Sequence, residues 1–226
     1  MEVKQAIPEM ARLEGQKGVL IAIPTTGRPV PIAWAFALKM LTAPPVTLST
    51  IYSVIGHPLD EARNISVQKA IDDNYKYIFF LDDDVVVPPG TLRRFLTILD
   101  NRPEVDFVSG VVCTRDESPQ PMVFRQLGNG PFWDWKVGEV FWSNAGAIGA
   151  SMIRVSAFGR VAPPWFKRVD DATGGVDEGM YFYDQLLKSY PVGAKPIWID
   201  GARLCEHHHI QTGKVYTMEN NYGKTS

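Results

Sequence analysis

Over the first hundred residues, three short apolar runs alternate with three helix-forming stretches, and this alternation limits the fold more than any other feature. GVLIAIP (18–24), VTLSTIYSV (46–54) and YKYIFFL (75–81) have the length and the β-branched and aromatic content of strands. PIAWAFALKML (31–41) predicts a mostly buried helix, with the proline tolerated in its first turn. Residues 60–74 place Ala62, Ile65, Ala70 and Ile71 at helical spacings, and residues 88–101 place Leu92, Phe95, Leu96 and Leu99 on one face. Strand, helix, strand, helix, strand, helix predicts parallel strands with helices on the sheet faces. In such sheets ligands bind beyond the carboxyl ends of the strands. Two polar segments fall at those ends: TTGRP (25–29) and the run Asp82, Asp83, Asp84.

Beyond residue 105 the pattern becomes irregular. Residues 105–113, 121–127, 139–155 and 195–200 read as strands with glycine-rich joints, and 177–190 as one amphipathic helix. Composition narrows the functional classes. A net charge of −2 gives no basic field for nucleic acid. No apolar run approaches the ~18 residues of a membrane span, so no integral membrane segment is expected. Two cysteines make no disulfide framework, and with no signal-peptide pattern at the start a cytoplasmic setting is the expectation.

Four clusters carry possible chemistry. Three adjacent carboxylates at a strand end suit a hard divalent cation, which takes one or two carboxylates and completes its shell with water and phosphate. Capping aspartates on a solvated turn are the plain alternative. Arg63, near the start of the second helix, could meet phosphate oxygens or a planar base. Asp177 and Glu178 precede a helix, where the dipole favours acids, yet one of them at a pocket edge could take a proton from a hydroxyl. Cys205 to His209 (CEHHH) invites a zinc reading, but no second cluster at finger spacing accompanies it. If this stretch is a strand, His207 and His208 point to opposite sides. Cys113 has no catalytic context. Trp133, Trp135 and Trp142 in PFWDWKVGEVFW fit a sugar-stacking platform or a core equally well.

Taken in order, these pieces resemble the GT-A glycosyltransferases, most closely those of family 2. IAIPTTGRP is similar to the first strand and nucleotide loop. ARNISVQKAIDDNYKYIFFLDDDVVVPPGTLRRFL resembles the central signature with its Asp-x-Asp motif. NAGAIGASMIRVSAF is similar to the glycine-rich segment before the acceptor region, and residues 163–208 resemble the closing stretch, in which Asp200 and His207 have the family's spacing.

The resemblance implies an α/β GT-A fold, a Rossmann-like mixed sheet with helices on both faces. It implies one domain: a lead-in (1–17), a nucleotide-binding half (18–112), an acceptor and metal half (113–209) and a C-terminal tail (210–226). It further implies a nucleotide-diphospho-sugar donor such as a UDP- or GDP-sugar, and a hydroxyl acceptor on a glycan, lipid or protein. Pro24, Thr25, Thr26, Arg28, Arg63, Asp82 or Asp83, and Gly149 would contact the donor. Asp84 and His207 would hold Mn²⁺ or Mg²⁺, and Asp177 or Glu178 would be the acceptor base. Here the acidic pair reads Asp-Glu rather than Glu-Asp, so which acid is the base stays open. Without substrate, the aspartate run is expected to be strained. A sugar-nucleotide nucleotidyltransferase is the rival enzyme, but TTGRP lacks that class's glycine-rich basic loop. A non-catalytic nucleotide-sugar-binding module is the other rival.

Overall fold

β1 (Lys17–Thr25) runs through the middle of one half of the sheet, with β2 (Ser49–Ile55) and β3 (Tyr75–Leu81) parallel on either side of it. This computed structural model describes residues 17–41, 43–44, 47–169 and 177–218. The lead-in up to residue 16, the last eight residues of the tail and the whole DDATGG stretch (170–175) therefore lie outside the described residues. β5 (Phe107–Val111), β6 (Val140–Trp142), β7 (Ala150–Arg154) and β8 (Ile197–Leu204) complete a seven-stranded sheet in the order β2-β1-β3-β7-β5-β8-β6. β7 enters antiparallel between β3 and β5, so the sheet is mixed.

Alternate residues of the central strands feed two cores. Val19, Ile21, Tyr77, Phe79 and Met152 pack on one face with Trp34 of α1 (Ile32–Lys39) and with Leu92, Phe95, Leu96 and Leu99 of α3 (Thr91–Asn101). Leu20, Ala22, Ile78, Phe80 and Ile153 pack on the other with Val67 and Ala70 of α2 (Leu59–Asp72) and Phe182, Tyr183 and Leu186 of α4 (Glu178–Lys188). The expected helices 60–74, 88–101 and 177–190 are these three, each slightly shorter. Gly90, just before α3, sits at φ 76, a left-handed conformation that glycine adopts without a Cβ penalty.

Three expectations need correction. The first helix is not mostly buried: Ile32, Phe36 and Met40 form an exposed stripe, and only Trp34 and Ala37 are buried. Residues 121–127 make no strand. Their contacts are single bridges, Cys113 with Pro121 and Phe124 with Ala145. The chain beyond 209 also continues into structure. β9 (Glu206–His209) pairs with β10 (Lys214–Tyr216) on one side and with β4 (Val85–Val86) on the other, forming a second small sheet.

That second sheet positions the site. β4 directly follows the aspartate run, and its pairing sets Val85 opposite His207. No helix among the described residues is long and apolar enough to cross a membrane.

Candidate active site

A cleft of about 490 Å³ opens at the carboxyl ends of β1, β3 and β5. That volume lies in the range of small-ligand sites. Pro24, Thr25, Thr26, Arg28, Arg63, all three aspartates, Gly149, Asp177, Glu178 and His207 line it, so every residue proposed from sequence reaches one cavity.

The three aspartates play different parts. Asp82 is fixed by its backbone: its N–H donates to the Gly149 carbonyl (3.0 Å), and its own carbonyl accepts from Trp34 Nε1 (2.8 Å). Its side chain accepts from Arg63 Nη2 at 3.0 Å, and its Oδ1 has no partner. Asp83 has both oxygens engaged, by Arg28 Nη2 (2.6 Å) and by the Thr25 hydroxyl (2.6 Å). Between the two residues offered for the ribose, Asp82 is therefore the one with a free oxygen, and Asp83 ties the β1 loop to the β3 end. Asp84 receives Arg28 Nη2 at 2.9 Å and Arg115 Nη1 at 2.8 Å on one oxygen, with His207 Nε2 3.6 Å from the other. Burial pushes its pKa up, but His207, Arg115 and Arg28 outweigh that and hold it at about 2. Three guanidiniums, one of them shared with Glu178, offset the charge of the aspartate run.

Arg63 is 2% exposed, with Phe80 and Phe166 against its guanidinium. It bridges Asp82 to Glu178, 3.2 Å from its Nε. It fixes two carboxylates more directly than it offers itself to a donor, although its Nη1 is buried without a partner. Neighbouring Asn64 holds the chain at Trp165 and Phe166 through backbone hydrogen bonds. Gly149 has a steric reason to be glycine. A Cβ there would fall within 2.8 Å of Asp82 Cβ and overlap its carboxylate.

The acidic pair divides clearly. Asp177 caps α4, accepting from the Gly179 N–H at 2.8 Å, and is exposed. Glu178 is buried against Arg63. Burial raises its pKa, Arg63 opposes the rise, and the nearby Asp177 and Asp82 charges add to it.

The histidines divide likewise. His207 Nδ1 lies 2.8 Å from the Cys113 carbonyl. A proton on Nδ1 donated there directs Nε2 at Asp84, and Nε2 is the nitrogen a cation would take. His208 turns instead to Glu206 (2.8 Å), as strand alternation requires. Ligands at ~2.1 Å on one ion stand roughly 3 Å or slightly more apart, so Asp84 Oδ1 and His207 Nε2 fit a shared divalent cation. No group of three or more His, Cys, Asp or Glu is placed to hold a metal among the described residues, so further ligands would come from water or phosphate. Cys205 is wholly buried and does not join the histidines.

The tryptophans do not line the cleft. Trp135 is buried and stacked on Phe141, while Trp142 lies beneath Arg125. Sequence reasoning missed Arg115, and also Tyr183, whose hydroxyl donates to the Gly146 carbonyl at 2.7 Å on the cleft wall. Arg115 follows shortly after β5, at the same strand-end edge as the aspartates, and that position was the available signal.

A profile of the family described as Glycosyl transferase family 2 matches residues 51–157, which include most of β2, then β3, the aspartate run and β7. The fold is of the GT-A kind, an α/β fold with a mixed sheet. Among solved structures, the chain is similar to A197 from STIV, with 18% identity, 88% of this chain and 93% of that chain covered, and a TM-score of 0.61. It is also similar to S. aureus TarS at 10% identity, covering 81% of this chain and 35% of that one, TM-score 0.49. A TarS fragment in complex with UDP-GlcNAc aligns at 11% identity over 81% of this chain and 56% of that one, TM-score 0.48. No curated protein matched the sequence. Of the three aspartates, Asp83 is turned aside to Arg28 and Thr25, while Asp82 and Asp84 are not held by Thr25.

Proposed function

We propose that the protein transfers a sugar from a nucleotide-diphospho-sugar to a hydroxyl acceptor, with Glu178 as the general base. The observation that carries this reading is the junction of a cation-ready pair, Asp84 and His207, with a buried carboxylate held by Arg63, in one cleft of a family 2-like fold. Asp84 and His207 would hold Mn²⁺ or Mg²⁺. The bound ion would offset charge gathering on the diphosphate leaving group.

The chain's own groups do the rest. Asp82 lines the cleft, and its Oδ1 is buried without a partner, an acceptor that a ribose hydroxyl entering there would satisfy; Thr26 and Arg28 lie at the mouth of the nucleotide loop. Gly146, Ala147, Ile148 and Gly149 line the cleft wall, and this is where the transferred sugar would lie. Glu178 accepts the acceptor's hydroxyl proton as the acceptor oxygen bonds to the anomeric carbon. The bond from that carbon to the diphosphate oxygen breaks, and the electron pair leaves with the nucleoside diphosphate. A side-chain base serves a single displacement, so the reading includes inversion at the anomeric carbon.

The test is turnover of UDP- and GDP-sugars with Mn²⁺ and simple glycoside acceptors, with product configuration read by NMR. Asp84→Ala and Glu178→Gln are each expected to lower kcat by about 10²-fold or more. Wild-type activity in either variant overturns that residue's role. Donor binding without any transfer would indicate a binding module instead.

A further inference from the structure

We infer that Arg115 is a ligand of the donor's diphosphate, parked on Asp84 until a cation and the diphosphate arrive together. The inference rests on the donor class proposed above.

Of the three arginines on the aspartate run, Arg63 is buried between two carboxylates and has a fixed task. Arg28 and Arg115 differ from it. Their side chains are 40% and 37% exposed, and both converge on the same oxygen, Asp84 Oδ2, at 2.9 and 2.8 Å. Arg28 is also anchored on Asp83, but the only carboxylate partner of Arg115 among the described residues is Asp84. Arg115 spends one N–H of Nη1 there, out of five guanidinium donors, and it lines the cleft, so its planar fork has donors to spare for a ligand.

The two Asp84 oxygens face different neighbours. Oδ1 faces His207 Nε2, while Oδ2 carries the two guanidiniums. A cation seated between Oδ1 and Nε2 would repel a guanidinium held on the same carboxylate. A diphosphate brought by that cation offers Arg115 more negative charge, in a geometry that suits its fork. Arg115 thus competes with the cation in the empty site and cooperates with it in the loaded one.

This gives Arg115→Met two effects of opposite sign. Mn²⁺ alone, titrated calorimetrically into the free protein, should bind several-fold more tightly than to wild type, because one competing cation is gone. UDP and GDP are then titrated at saturating Mn²⁺ and the tighter is followed; its affinity should fall about tenfold or more. Affinity for the corresponding nucleoside without phosphates should not change. Arg115→Lys keeps the charge but loses the fork. It should leave Mn²⁺ binding near wild type and restore part of the nucleotide affinity.

Shifts of both ligands in the same direction, or of neither, overturn the inference while leaving the proposed transfer standing. A wild-type protein that binds neither Mn²⁺ nor a nucleoside diphosphate overturns both. Circular dichroism on the Met variant checks that it is folded; its position on an exposed loop makes this the expected result.

Discussion

Two adjacent acids of similar chemistry end in different surroundings, and the difference is measurable. Asp177 spends its carboxylate on the first turn of α4, while Glu178 turns inward to Arg63. Burial places the Glu178 pKa above its ordinary value of 4.5. A base works only when ionised, so activity should fall as pH drops through that raised value. The acidic limb of kcat against pH is expected to have its midpoint above 4.5 and to disappear in Glu178→Gln. Asp177→Ala should keep the limb and lose mainly stability, by about 1 kcal/mol for the lost cap. A limb with a midpoint at or below 4.5, or one that persists in Glu178→Gln, removes Glu178 as the base.

Between elements, α3 and β8 are joined by a charge pair rather than by apolar contact alone. Asp200 on β8 is fully buried and bonded twice by Arg94 of α3, through Nε and through Nη2 at 3.1 Å. Arg94→Met would leave that carboxylate with Arg203 at 3.9 Å and the Ala202 N–H. The expected cost is about 2–3 kcal/mol in urea unfolding, less than for a fully enclosed pair because Arg94 is one-third exposed. An unchanged midpoint would show that Arg203 takes over.

The elements legible in the sequence are those whose burial is periodic. β1, β3 and α3 carry unbroken or evenly spaced apolar residues, and the sheet faces follow from them. α1 was misread because its composition is apolar all round, and composition does not say which side meets the core. Residues 121–127 were misread because Phe124 and Met122 make isolated long-range backbone bonds, to Ala145 and Val112, that no local pattern announces. At the site, residue types were legible and pairings were not. Three aspartates in a row signal a need for positive charge, but Arg28, Arg63 and Arg115 answer it from three separate places in the chain. The choice of His207 among three histidines depends on the register of β9 against β4.

Across the whole molecule, the small sheet joins the last described strand to the cleft. Tyr216 on β10 stands opposite His207 and packs into a third apolar cluster with Val111, Trp135 and Met218. Tyr216→Ala should cost about 3 kcal/mol, as large-to-small core changes do, and should also weaken Mn²⁺ binding by loosening β9. Weaker stability with unchanged Mn²⁺ affinity would show that β4 alone holds His207 in place.

Arg63 and Glu178 meet across 115 residues of chain, and that separation matters while the protein is being made. A chain growing from the ribosome exposes its aspartates and Arg63 early, long before Arg115, Glu178 and His207 have been synthesised. If Glu178 is the base proposed above, no fragment ending before it can bring donor and base together. A product ended before Glu178 would thus leave Arg63 and the aspartates without the buried acid that meets them here.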